Sequence, residues 1–312
     1  MNARAFWTVA PGQGELRSET LPEPSADEIR ITTVATGISR GTESRIFAGR
    51  VPPSQYATMR APLMDGEFPF PVKYGYSAVG SGPGGERLFV LHPHQDIFNA
   101  PRTMCLPIPA AVPDHRAVLA ANMETAINIA WDAAPLVGER MMVIGAGVVG
   151  LLTCWLLART PGAQMVIVDT DAGRAAVTER LGLRFAAPAQ APTDCDLIVH
   201  TSGSDAGLRQ ALASAGFEGR IIEASWFADA TPSLPLGEAF HSRRLRLLSS
   251  QVGEVAPAMR GRRSRAERLA LALRLLEDPV LDCLLDRRVP FADLPEQMPL
   301  LLAGGLCHVV TY

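Results

Sequence analysis

The residues Gly145-Ala146-Gly147-Val148-Val149-Gly150 directly follow a short apolar run at positions 141–144 of this 312-residue chain. Between a strand and a helix, such spacing permits a tight turn, close approach of the backbone to a diphosphate, and close helix–strand packing. The helix that begins there would also present unpaired N–H groups to the phosphates. The motif therefore predicts a dinucleotide site built from this loop, with Val148 and Val149 among its contact residues.

Asp169 ends the next apolar run, about 20 residues after Gly150, where an acidic residue binds the ribose hydroxyls in such sites. A carboxylate there repels a 2′-phosphate, and Asp171 adds a second negative charge, so we predict NAD(H) rather than NADP(H). Small polar residues follow two later apolar runs and are predicted to border the same cofactor: Thr201, Ser202 and Ser225.

From residue 140 onward, apolar β-rich runs alternate with helical patterns, which predicts a parallel sheet covered on both faces. Residues 1 to about 112 are rich in proline and glycine, and the alternation at 28–32 predicts an extended β region. A long helix is expected from Asp114, its N-cap, to Trp131, with Glu124 and Asn128 on one face. After an amphipathic helix that ends near residue 277, short strands and turns are expected, and they would make the β domain discontinuous.

Charge and composition exclude several classes of protein. The chain has 29 basic and 32 acidic residues, a net charge of −3, which gives no reason to expect a nucleic-acid partner or a polybasic membrane anchor. No run reaches the ~18 apolar residues of a transmembrane helix. Five scattered cysteines fit a reducing compartment. We expect a cytoplasmic two-domain enzyme with a small-molecule substrate.

The chain resembles the medium-chain dehydrogenase/reductases, the zinc alcohol dehydrogenase superfamily. Beyond the glycine loop, the resemblance is carried by three segments: Leu21-Pro22-Glu23-Pro24, Thr36-Gly37-Ile38-Ser39 and Gly75-Tyr76-Ser77-Ala78-Val79-Gly80. It implies an α/β architecture in which a GroES-like β-rich catalytic domain, residues 1–124 and 263–312, accompanies a Rossmann domain with a doubly wound parallel sheet, residues 125–262. It also implies hydride transfer between a substrate carbon and a nicotinamide in a cleft, and suggests a homodimer.

The departures from the family bear on metal chemistry. The family's catalytic zinc uses a cysteine where this chain has Ser39 and a histidine where it has Tyr76, with a third ligand near Glu124 or Thr125. Hydroxyl groups are poor Zn²⁺ ligands beside thiolate and imidazole. The four-cysteine lobe for a structural zinc is also missing. His92 and His94 are close enough in sequence to be considered as ligands but lack a neighbouring cysteine. We therefore predict a zinc-free member.

Without zinc, hydrogen-bond donors and a proton acceptor must act on the substrate oxygen. We predict that Thr42, Tyr76 and Glu124 orient and deprotonate a secondary alcohol, with Ser39 as a further hydroxyl. Lys73, the only lysine of the chain, would lower the pKa of Tyr76 only if a bend at Gly75 turned both side chains to one face. Otherwise Tyr76 lines the cleft alone or is a packed aromatic residue, and Glu124 is solvated or paired with an arginine.

Three functions compete. The first is an NAD(H)-dependent, zinc-independent oxidoreductase for an alcohol and carbonyl pair, and the second is a reductase of activated double bonds, as in zinc-free quinone reductases. The third is a dinucleotide-binding sensor without catalysis. The segment Ser39-Arg40-Gly41-Thr42-Glu43 is most similar to the bacteriochlorophyllide dehydrogenase branch, which oxidises a hydroxyethyl side chain to an acetyl group.

Overall fold

A computed structural model describes every residue from Met1 to Tyr312. The chain divides into two compact units, the first made of Met1–Ala121 and Leu269–Tyr312, the second of Asn122–Arg268. Both junctions fall inside helices, Ala120–Ala133 and Arg265–Leu275.

The secondary structure comprises seventeen strands, eight α-helices and several shorter helical turns. The strands are β1 (Asn2–Ala10), β2 (Gln13–Thr20), β3 (Glu28–Ile38), β4 (Asp65–Gly66), β5 (Val72–Lys73), β6 (Ala78–Ser81), β7 (Arg87–Val90), β8 (Ile97–Pro101), β9 (Leu106–Pro107), β10 (Arg140–Ile144), β11 (Gln164–Val168), β12 (Arg184–Ala186), β13 (Cys195–His200), β14 (Ala215–Glu223), β15 (Arg246–Ser249), β16 (Leu285–Pro290) and β17 (Cys307–Thr311). The α-helices are α1 (Arg40–Phe47), α2 (Asp114–Ala117), α3 (Ala120–Ala133), α4 (Val148–Leu157), α5 (Arg174–Arg180), α6 (Asp205–Ser214), α7 (Arg265–Leu275) and α8 (Leu294–Ala303).

The first unit is built on two sheets. One has the strand order β2-β1-β5-β4, and the other has the order β16-β17-β3-β6-β7-β9, with β8 pairing on β3. Alternation along β3 buries Ile29 and Ile31 against Phe98 and Val90 in one apolar cluster. Because β17 pairs antiparallel with β3, the end of the chain completes this sheet. The unit is thus discontinuous in sequence.

The second unit contains one six-stranded sheet with the order β12-β11-β10-β13-β14-β15. All its strand pairs are parallel. Numbered from β10, this is the 3-2-1-4-5-6 order of a doubly wound sheet, in which ligands bind beyond the carboxyl ends of the strands where the order reverses. The central strands β10 and β13 are almost wholly buried, as their continuous apolar runs predicted.

Two expectations about helices were wrong. The long helix expected from Asp114 is divided into α2 and α3 at residues 118–119, where the Val118 carbonyl accepts a hydrogen bond from the Ser77 hydroxyl. In place of Asp114, Pro113 is the cap residue of α2. The tail contains a ten-residue helix, α8, which buries Leu294, Met298 and other apolar residues in a core cluster despite its two prolines.

None of these helices combines the length and apolar character that a bilayer crossing requires.

Candidate functional site

The glycine loop lies between β10 and α4, at the carboxyl end of the parallel sheet. Gly145 has φ +108°, which a residue with a side chain rarely adopts, and its N–H donates to the Val168 carbonyl at 2.8 Å. Gly147 is the cap residue before α4, and a Cβ added there would meet no heavy atom within 4 Å. A Cβ on Gly150 would overlap the Gly145 carbonyl oxygen. The loop therefore leaves open backbone at Gly147 and requires close packing at Gly150.

Asp169 follows β11 and turns its carboxylate toward the same loop. Its Oδ2 accepts from the Ala146 N–H at 2.6 Å, and its Oδ1 accepts from the Asp171 N–H at 2.8 Å. Each carboxylate oxygen has a second acceptor site, so both can still receive a hydroxyl donor. The nearby Arg174 contacts Asp171, with its Nε 3.1 Å from a carboxylate oxygen. The arrangement suits the two hydroxyls of a ribose.

Thr201, Ser202 and Ser225 lie together beyond the ends of β13 and β14. The Thr201 hydroxyl donates to the Gly145 carbonyl at 3.0 Å, so the segment that follows β13 is hydrogen-bonded to the glycine loop. Ser225 Oγ accepts from the Gly203 N–H at 3.0 Å.

His200 and Glu223 also belong to this group at the carboxyl ends of β13 and β14, and neither was predicted from the sequence. His200 is fully buried, with Nδ1 2.7 Å from a Glu223 carboxylate oxygen and Nε2 2.6 Å from Ser202 Oγ. The available signal was the occurrence of a histidine and a glutamate at the last positions of two neighbouring apolar strands. Because the carboxylate can only accept, it fixes the imidazole hydrogen on Nδ1 and leaves Nε2 to accept from Ser202.

In the first unit, three of the predicted catalytic residues form a hydroxyl cluster. Ser39 precedes α1, and the Thr42 N–H donates to its carbonyl in the first turn. The Tyr76 hydroxyl donates to Ser39 Oγ at 2.5 Å and is also hydrogen-bonded to the Thr42 side chain. Burial, followed by the nearby Glu43 charge, raises the pKa of Tyr76 to about 12. Tyr76 is therefore a neutral hydrogen-bond donor at physiological pH.

Lys73 does not join this cluster, so the Lys73–Tyr76 pairing is wrong. Its ammonium lies 2.7 Å from a Glu19 carboxylate oxygen and 3.0 Å from Gln95 Oε1, over the ring of Trp7. Although Gly75 has φ +135°, the bend does not bring the lysine to Tyr76. Lys73 is a buried structural cation that holds β5 to its neighbours.

Glu124, in the second unit, is paired with an arginine. The buried Arg268 donates to Glu124 Oε1 at 3.1 Å and to Asn128 Oδ1 at 2.5 Å, so the predicted common face of Glu124 and Asn128 is correct. Burial raises the pKa of Glu124, and the Arg268 charge opposes that rise. The carboxylate is already engaged, which favours a structural role over proton abstraction.

The donor set does not fit the zinc that the resemblance implies. No group of three His, Cys, Asp or Glu side chains is placed to share a metal ion. His92 stacks on Phe98 with ring centroids 3.6 Å apart, while His94 bonds Glu43 and Thr36. The two histidines are therefore engaged within the core of the first unit.

Removing His92 is expected to weaken the acid sensitivity of the fold. Burial lowers the pKa of His92 to about 3, so between pH 6.5 and 3 the unfolded chain binds a proton that the folded chain does not. Neutral His92 therefore makes its full contribution to the free energy of unfolding above about pH 6.5. As the pH falls below this value the contribution is lost, and the free energy of unfolding drops by about 2 kcal/mol between pH 7 and pH 5. In His92→Phe the shift of the urea midpoint over this range should shrink. The exposed His241→Asn serves as control, and an unchanged pH slope in His92→Phe would contradict the prediction.

Comparisons with known proteins agree with this architecture. No protein-family model matches the chain. It is 30% identical over 124 residues to L-threonine 3-dehydrogenase of Rhizobium rhizogenes, a match covering 39% of this chain and 36% of that protein. It is 25% identical over 150 residues to a zinc-type alcohol dehydrogenase-like protein of Haemophilus influenzae, covering 44% of each. The matched stretch thus spans less than half the length of either relative.

Solved structures match over the whole chain. An Escherichia coli alcohol dehydrogenase in complex with NADH superposes with a TM-score of 0.79 at 17% identity, covering 100% of this chain and 99% of that one. L-idonate 5-dehydrogenase of Escherichia coli gives a TM-score of 0.82 at 14% identity, with the same coverage. The fold is therefore that of these dehydrogenases, a GroES-like unit with a Rossmann unit.

Proposed function

We propose that this chain is an NAD(H)-dependent oxidoreductase that interconverts an alcohol and a carbonyl on a small molecule by hydride transfer, without catalytic zinc. The observation that carries the proposal is the glycine loop at the point where the strand order reverses, with Asp169 facing it. The dehydrogenase relatives support the same reaction class.

In this proposal the second unit binds the dinucleotide cofactor. Gly147 leaves backbone open to a diphosphate, and α4 begins there with unpaired N–H groups. Asp169 retains an acceptor position on each oxygen for the ribose hydroxyls, and its charge with that of Asp171 disfavours a 2′-phosphate. When bound, the nicotinamide supplies the hydride acceptor or donor.

In this proposal the first unit provides the hydroxyl groups that act on the substrate oxygen when its proton is removed or added. Hydride transfer from an alcohol leaves an O–H proton to be removed, and the reverse reaction needs a proton on the carbonyl oxygen. Tyr76 and Ser39 hold their hydroxyls 2.5 Å apart, with Thr42 bonded to the same phenol. This cluster can donate hydrogen bonds to a substrate oxygen and stabilise charge that develops on it.

Zinc independence and the substrate class are the finer parts of the proposal. Ser39 and Tyr76 bond each other where the family would place a thiolate and an imidazole, and the raised pKa of Tyr76 opposes phenolate ligation of a metal. The likeness of residues 39–43 to the bacteriochlorophyllide dehydrogenase branch favours a secondary alcohol of the hydroxyethyl kind. A substrate panel of such alcohols and ketones, assayed with and without a chelator, tests both points.

Replacing Asp169 is expected to change the choice of cofactor. Asp169→Asn keeps the shape but loses the charge and one acceptor, so the Kd for NADH should rise by about tenfold, as expected for a lost charge-assisted hydrogen bond. The Kd for NADPH should fall, because a repulsive charge is gone. Calorimetric titration of both cofactors measures the ratio.

Asp171→Asn is the matched control, since it removes a charge two residues away and leaves the Asp169 carboxylate in place. It should change the NADH affinity little. Tighter binding of NADPH than of NADH by the wild-type chain would contradict the preference for NAD(H). Equal effects of both variants would show that Asp169 has no specific role.

A further inference from the structure

The segment that follows β15, residues 250–256, lies outside the helices and strands and is held in place by side chains of α3. The Ser250 hydroxyl donates to an Asp132 carboxylate oxygen at 2.6 Å. At the other end of the segment, the Ala256 N–H donates to Asn128 Oδ1 at 3.0 Å. Asp132 and Asn128 both belong to α3, so one helix holds both ends of the segment.

Arg268 holds the middle of the same segment. Its guanidinium donates to the Val252 carbonyl at 2.5 Å and to the Glu254 carbonyl at 3.1 Å. The same guanidinium donates to Glu124 Oε1 and Asn128 Oδ1, as described above. Backbone carbonyl groups that are turned away from water need such donors, and Arg268, which is 1% exposed, supplies donors to two of them.

Three of these side chains share one face of α3. Glu124, Asn128 and Asp132 are spaced by four residues, which places them one above the other on a helix. Together with Arg268 they form a continuous group that we call the α3 clamp. A buried carboxylate and a buried guanidinium are costly unless their hydrogen bonds are satisfied, and here they bond each other and the backbone of residues 250–256. The α3 clamp therefore fixes the conformation of a stretch that has no regular structure of its own.

The segment held by the α3 clamp lies at the carboxyl edge of the parallel sheet. It begins beside Glu223, because the Ser250 N–H donates to the Glu223 carbonyl at 2.9 Å. A dinucleotide crosses such an edge with one half on each side of the point where the strand order reverses. With the adenosine ribose at Asp169 on the β11 side, the nicotinamide half lies beyond β13, β14 and β15. The N–H groups of Gln251 and Val252, in this segment, bond no acceptor within the protein and are available to a ligand.

We infer that the α3 clamp positions residues 250–256 against the nicotinamide end of the dinucleotide. The inference rests on the proposed function and extends it by naming positioning residues that do not themselves touch the cofactor. Glu124 is one of them, because its contact with Arg268 makes it part of the support for the segment rather than a base for the substrate. Without the clamp the segment is free to adopt other conformations, and the nicotinamide loses a fixed partner. The adenosine half, bound by Asp169 and the glycine loop, does not depend on the clamp.

The test compares NADH with ADP-ribose, which carries the same adenosine and diphosphate but no nicotinamide. The double variant Glu124→Gln/Arg268→Met removes the guanidinium without leaving a buried carboxylate unpaired. In the full chain, calorimetric titration should show the Kd for NADH raised by about tenfold, as expected for one lost hydrogen bond. The Kd for ADP-ribose should stay within about twofold of the wild-type value. The kcat of carbonyl reduction at saturating NADH should also fall, because the nicotinamide is no longer held in one orientation.

Arg116→Met is the matched control for this variant. Arg116 is buried in the first unit, where it donates to Asp282 and to the backbone carbonyls of Leu276 and Glu277. Its replacement therefore also takes a guanidinium away from one carboxylate and two carbonyls, and it should lower the thermal stability. The Kd values for NADH and ADP-ribose should both stay as in the wild type. A general loss of stability thus does not produce the expected difference between the two ligands.

Ser250→Ala is a milder test, which removes one hydroxyl from the segment and does not endanger folding. It should raise the Kd for NADH by about threefold and leave the Kd for ADP-ribose unchanged. Ser249→Ala, at an exposed position of β15, should change neither value.

Equal losses for the two ligands, or wild-type NADH affinity in both the double variant and Ser250→Ala, would overturn the inference. The proposed function stands in that case if the wild-type chain binds NADH and turns over an alcohol or a ketone. A folded wild-type chain that binds neither NADH nor ADP-ribose would overturn the proposed function and the inference together.

Discussion

Gly150→Ala should abolish measurable NADH binding and lower the stability of the chain. A Cβ at position 150 would overlap the Gly145 carbonyl oxygen and crowd Thr201 Oγ1 at 2.7 Å. Because the first obstacle is backbone, the loop must move, and overpacking of this kind costs about 1–3 kcal/mol. We expect the Kd for NADH to rise by more than about 100-fold, since the displaced loop no longer presents its N–H groups to the diphosphate.

Gly147→Ala tests whether NADH binding needs the open backbone at position 147, without disturbing the packing of the loop. Its φ of −77° suits any residue, and an added Cβ meets nothing within 4 Å. The fold should therefore be unchanged in a thermal melt, while the methyl group keeps the diphosphate from the backbone and weakens NADH binding. Gly261→Ala, also in open space, should change neither quantity. Normal NADH binding in Gly150→Ala would show that the loop is a packing motif without a ligand.

Tyr76→Phe should lower kcat by about 10²–10³-fold, the usual contribution of a positioned proton donor. The substitution removes the hydroxyl that bonds Ser39 and keeps the ring, so the NADH Kd should not change. With its pKa raised to about 12, Tyr76 remains protonated across the working range, and carbonyl reduction should show no alkaline loss from this group below about pH 11.

Tyr74→Phe is the matched control for Tyr76. The two rings meet edge to face with centroids 6.0 Å apart, so both variants remove one hydroxyl from the same aromatic pair. Only Tyr76→Phe should lose turnover. Equal kcat in the two variants would contradict the assignment of Tyr76 as the proton donor.

The parallel sheet and its glycine loop could be predicted from the sequence because both depend on local patterns. Continuous apolar runs predict buried parallel strands. The turn requires glycine at positions 145, 147 and 150, so the motif can be read directly from the sequence. The position of Asp169 at the end of β11 follows from the same periodicity.

Contacts between distant segments could not be predicted in this way. The neighbours of Val118 predict a continuous helix, but the helix is interrupted there, where the Val118 carbonyl accepts from Ser77, a residue far from it in sequence. Likewise, nothing local in the chain indicates that Glu43 meets His94 or that Lys73 meets Glu19. These pairs depend on which strands become neighbours, so the catalytic half of the site was predicted less well than the cofactor half.

Titration of the purified chain with NADH, followed by calorimetry, tests the central claim most directly, namely that a dinucleotide diphosphate rests on the glycine loop. The account predicts saturable binding of one NADH per chain with a Kd between about 1 μM and 1 mM, the range that enzyme KM values usually span, and its loss in Gly150→Ala. A folded wild-type sample that gives no heat at millimolar NADH would contradict it.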